Sequence, residues 1–135
     1  MADGFTTAAR NTYHDAGWAA IAATPFVSLH SGDPGTTGAN ECSSNGYSRQ
    51  ACSIGSSTGG VKQNATAITF GPAATADWSI LYYALWTAQT DGTFLGYWTL
   101  KDVNGDPLLV AAAVPVDSVA KFAAGELKFT IADAA

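Results

Sequence analysis

The chain has 135 residues, of which 47% are hydrophobic and only 13% charged. A chain of this length fits one domain and buries roughly two thirds of the surface it exposes when unfolded, so it needs neither disulfides nor metals as staples. Six basic residues stand against eleven acidic ones for a formal charge of -5. The basic ones are scattered at Arg10, Arg49, Lys62, Lys101, Lys121 and Lys128, which argues against binding nucleic acid or an anionic membrane surface.

Phe5 to Ala23 repeats apolar residues at Ala9, Tyr13, Ala16 and Ala20, a spacing that predicts an amphipathic helix. Thr6 or Thr7 can cap it, and Thr24-Pro25 ends it. The opening residues show neither a basic n-region nor an apolar h-region, so no signal peptide is expected. Phe26 to His30 alternates and predicts a strand. Ser31 to Asn40 is dense in Gly and Pro and predicts a surface loop. Tyr47–Ile54 and Val61–Phe70 predict two further strands.

Ile80–Ala88 and Phe94–Leu100 are apolar and aromatic, and Asp91-Gly92 lies between them. Asn104-Gly105 separates the second run from Leu108–Val114. Asp-Gly and Asn-Gly suit two-residue hairpin turns, so these runs predict a three-stranded meander. Leu108–Val114 is the longest apolar run and is too short to span a bilayer. Gly125–Ala132 predicts a closing strand. The expected fold is mainly β: one antiparallel β-sandwich or jelly-roll-like domain of seven or eight strands over residues 24–135, behind an N-terminal helical segment at 1–23.

Catalytic chemistry finds little support. His14 beside Asp15 and His30 near Asp33 are His–Asp pairs, but no nucleophile elbow accompanies them. Glu41 and Glu126 are the only glutamates, and Asp33, Asp91 and Asp106 read as turn residues. Asp102-Val103-Asn104-Gly105-Asp106 faintly echoes a calcium loop but lacks the downstream glutamate. No phosphate loop or dinucleotide fingerprint is present. No catalytic residue, cofactor or metal is expected. The sequon Asn64-Ala65-Thr66 reads as incidental. Cys42 and Cys52 read as free thiols, with a disulfide as the alternative if they lie on neighbouring strands.

Aromatics are denser in information. Trp78, Tyr82, Tyr83, Trp86, Phe94, Tyr97 and Trp98 crowd one stretch. On a strand Tyr82, Ala84 and Trp86 share one face, and Tyr83, Leu85 and Thr87 the other. Core packing explains part of this set, and a protein–protein interface the rest. Asp33, Pro34, Trp78, Tyr82, Tyr83, Trp86, Tyr97 and Trp98 are therefore the partner-contact candidates.

The string from Leu29 to Glu41 (LHSGDPGTTGANE) resembles the opening motif of a family of small tailed-bacteriophage virion proteins, usually labelled tail fibre or minor tail proteins. The likeness continues at Gly46–Ala51, Ile68–Ala73, Asp77-Trp78, Ala84–Trp86, Leu95–Tyr97 and Phe122–Leu127. Ser79–Tyr83 is bulkier than the family's usual segment. The resemblance implies a non-enzymatic structural protein on the virion surface, made in the host cytoplasm. The expected role is a capsid decoration protein on the outside of the head that stabilises the shell. The alternative is a tail fibre or minor tail protein acting in tail assembly or receptor binding. The implied partners are the major capsid protein or tail proteins and further copies of the chain, a trimer by analogy with fibres and capsid threefolds.

Overall fold

In a computed structural model, residues 15, 24–43, 46–55, 61–102 and 104–130 are described. Ten strands follow one another: β1 Phe26–His30, β2 Gln50–Ala51, β3 Val61–Gln63, β4 Ile68–Phe70, β5 Trp78–Ile80, β6 Tyr82–Trp86, β7 Phe94–Thr99, β8 Ala112–Val114, β9 Ala120–Phe122 and β10 Lys128–Thr130. The chain is mainly β. Its largest unit is an antiparallel sheet of order β2-β1-β6-β7. Three antiparallel ribbons, β10-β3, β4-β9 and β5-β8, complete it. The arrangement among the described residues is thus one sheet with three ribbons, where two extended sheets were expected. The expected N-terminal helix falls on residues that, apart from Asp15, lie outside the described ones. Asp15 bonds Lys62 Nζ on β3.

β1 and β6 each bury four of their five residues. Both faces of the central pair are therefore covered, and the alternation seen in the sequence does not mark one wet face. Val27, Leu29, Tyr83 and Leu85 point into the core with Phe70, Trp78, Leu127 and Phe129. Rings meet edge to face there: Tyr47 on Trp78 at 5.7 Å, Tyr83 on Phe129 at 5.8 Å and Trp98 on Phe129 at 5.2 Å.

β6 and β7 pair as expected, but not through a two-residue turn: the Thr87 amide bonds the Thr93 carbonyl, so residues 88–92 form a longer loop. Asp91 and Gly92 take positive φ, at 54° and 75°, at the end of that loop. The meander stops there. The Asn104-Gly105 turn closes a short bridge from Lys101 to Pro107, after which the chain leaves β7 and β8 pairs with β5. Asp102 Oδ1 accepts the amides of Asn104 and Asp106, so its carboxylate organises this turn.

The expected strand Val61–Phe70 is two strands in different ribbons. Asn64 explains the break. It is fully buried, its Nδ2 donates to the carbonyls of Thr66 and Ala123, and its Oδ1 accepts the Leu127 amide. The side chain thus serves as a junction between β3, β4 and the approach to β10. Ile80–Ala88 likewise splits into β5 and β6 at Leu81, whose amide bonds the His30 carbonyl.

Candidate functional site

The outer face of the main sheet carries the polar architecture. Register places Ser28 opposite Ala84, His30 opposite Tyr82, and Ala84 opposite Tyr97. The Ser31–Asn40 loop folds over this face. Trp86 Nε1 donates to Ser28 Oγ at 2.9 Å. His30 Nδ1 lies 2.7 Å from the Ala39 carbonyl, which can only accept, so Nδ1 holds the proton. His30 Nε2 is then the acceptor for the Ser28 hydroxyl, at 2.7 Å. This chain runs from the sheet to the loop through two residues with 0% exposure.

Ser28 and His30 mimic a nucleophile–base pair in composition only. Neither reaches solvent, and both polar ends are spent on structure. Burial lowers the His30 pKa; the Ala39 bond and the Glu41 charge oppose that, and Arg49 adds to it. The imidazole is neutral at pH 7. His30 also does not pair with Asp33, whose Oδ1 accepts the Gly35 amide in the loop. His14 lies outside the described residues.

Arg49 closes the other side. Its Nε and Nη2 each lie 2.9 Å from the two oxygens of Glu41. Its Nη1 reaches the carbonyls of Ala88 and Asp91 at 3.1 and 2.8 Å. The guanidinium lies 3.6 Å over the Trp86 ring. Tyr47 donates to Glu41 Oε2 and accepts the Leu29 amide. Burial by itself would raise the Glu41 pKa; the Arg49 and Tyr47 bonds outweigh it and hold the group below its ordinary value. One cation therefore joins the end of the loop, the β2 approach and the β6–β7 turn.

The loop is braced internally as well. Gly38 and Ala39 amides bond the Pro34 carbonyl, and Asn40 Nδ2 bonds the Asp33 carbonyl. Gly38 has φ +79°, and a Cβ there would lie 2.3 Å from the Trp86 ring. Only glycine allows the loop this close to the sheet.

The partner-contact candidates separate by burial. Trp78, Tyr83, Trp86 and Pro34 are buried, and Trp98 is half-buried against the core. Asp33, Tyr82 and Tyr97 remain accessible on the loop side of the sheet. Tyr97 is 38% exposed and meets Tyr82 edge to face at 5.6 Å. The Asp33 charge beside Tyr97 raises its phenol pKa. Cys42 and Cys52 are free thiols, and burial pushes them up to about 11 and about 12. Among the described residues no three His, Cys, Asp or Glu converge as a metal site.

Sequence reasoning missed Ser28, Asn64 and Lys62 as network residues, and gave no role to Glu41 and Arg49. The signal for the last two was their place in the motif fragments. Leu29–Glu41, Gly46–Ala51 and Ala84–Trp86 are separate in sequence, yet together they build this one clamp.

The family model described as Podophage GP4 fiber I protein gp80 matches residues 4–130. The chain belongs to that family, and is a structural component of a phage virion. No curated protein matches it.

Proposed function

We propose that the chain is a tail-fibre component, acting in tail assembly or in contact with the host receptor. The observation that carries this reading is the match to a podophage fibre protein over nearly the whole chain. That match favours the tail over the capsid-decoration role expected from the sequence, because the family's description is of a fibre. Residues 24–135 serve as the rigid body and residues 1–23 as its attachment segment. Copies assemble with one another, as a trimer, and with other tail proteins at the virion surface. The Asp33, Tyr82 and Tyr97 patch is the contact for a partner, since the Asp33 carboxylate on the braced loop and the two tyrosines on β6 and β7 stay accessible side by side.

Immunogold labelling of intact particles tests the location. Gold confined to the tail supports the proposal. Gold spread over the head restores capsid decoration and sinks it.

A further inference from the structure

The described residues leave one apolar element uncovered. From Pro107 to Val116 the sequence is PLLVAAAVPV, ten residues without a polar side chain. Leu109 is 93% exposed and Val110 79%, at a bend that precedes β8. Ala112 and Ala113 on β8 are also exposed, and Val116 and Val119 continue the surface at 38% and 48%. Among the described residues, four of the five exposed large apolar side chains thus lie within eleven residues. Elsewhere among the described residues most large apolar groups are covered, with Trp78, Phe70, Leu29, Leu85 and Phe129 almost fully buried. A projecting Leu-Val pair amid such economy marks a contact.

The same molecule offers a matching acceptor. A cleft of about 520 Å³ is floored by Tyr83, Leu100, Phe122 and Leu127. Lys101 and Lys128 stand on its rim with Asp102 and Glu126. Two positive and two negative groups leave the rim neutral, which suits an uncharged insert. The floor is large enough for a branched aliphatic side chain and offers it aromatic and leucine surface. Two copies carry the same net charge of -5, and an uncharged knob on a neutral rim adds no like-charge pair to their repulsion.

We propose that Leu109 and Val110 of one copy insert into the Tyr83–Leu100–Phe122–Leu127 cleft of a second copy. The contact is knob into cleft, a head-to-tail contact through which three copies can close a ring. It rests on the self-association in the reading above, but not on where the virion holds the protein.

The test uses the full chain in solution. Light scattering after gel filtration should give a multiple of the single-chain mass. L109D/V110D should elute at the single-chain mass at the same concentration with an unchanged circular dichroism spectrum, because both side chains are exposed in the single chain, and its melting temperature should fall to a value that no longer depends on protein concentration. A second measurement addresses the acceptor. L109C and E126C chains, each also carrying C42A and C52A, are co-expressed with different tags. A disulfide should join one to the other under mild oxidation. A wild-type monomer overturns the proposal, as does an assembly that survives both aspartates or the absence of the 109–126 cross-link. Gold labelling of particles moves with none of these outcomes, so the two readings fail separately.

Discussion

Arg49 shows how much structure one side chain can hold. It is 9% exposed and joins Glu41, the Ala88 and Asp91 carbonyls and the Trp86 ring. Lysine keeps the charge but lacks the planar fork for two carboxylate bonds and two carbonyl bonds together. R49K should cost about 2 kcal/mol, measured as a shift in the denaturation midpoint at constant m-value. E41Q should cost more, because it leaves the buried guanidinium without its counter-charge. His30 and Glu41 also set the pH response. Both have folded pKa values below their unfolded ones. Each therefore contributes stability above its unfolded pKa that is lost as pH falls toward the folded one. For His30 the loss starts near pH 6.5, and for Glu41 near 4.3. Melting temperature should fall in two stages on acidification, and H30Q should remove the upper stage. A flat profile from pH 7 to 5 in the wild type would refute the role given to His30.

At the scale of elements, glycine and asparagine decide where strands stop. Gly46 has φ +88°, and a Cβ on it would lie 2.2 Å from the Pro72 carbonyl oxygen. Gly105 has φ +83° with nothing within 4 Å. Both alanine variants incur the cost of a left-handed backbone, about 1 kcal/mol. Only G46A adds a collision with main chain. G46A should therefore lower the melting temperature clearly more than G105A, and equal effects would mean that the close approach relaxes freely. β1, β7 and the β6–β7 pairing were legible from local pattern, although their connection is longer than the two-residue turn that Asp91-Gly92 suggested. β6 was legible except for its boundary with β5. β3 and β4 were not separable, since the break depends on Asn64 meeting Ala123 and Leu127 some sixty positions away. β8 was read as β7's neighbour because it follows an Asn-Gly turn. Its real partner is β5, a choice that local periodicity does not encode. β9 was missed: its three residues, Ala-Lys-Phe, are too few to show a period.

Across the whole molecule, the aromatic cluster divides into side chains packed into the fold and side chains left in solvent. The sequence singled out this stretch but could not sort its residues by burial, because both faces of β6 are apolar and both are largely buried. Sorting needed the Ser31–Asn40 loop, which covers Trp86 while leaving Tyr97 at the surface. The division is measurable in two assays on the same variants. W78A removes a side chain that is 1% exposed and packed against Tyr47. It should cost about 3–5 kcal/mol and lower virion incorporation only in proportion to lost folded protein. Y97A and D33N alter groups already in solvent, so their melting temperatures should stay within a few degrees of the wild type. If the patch is the partner contact, the folded Y97A and D33N proteins should still fail in receptor contact or particle assembly. Normal infectivity of both would move the contact away from this face, while the clamp beneath it would still explain why the loop is rigid.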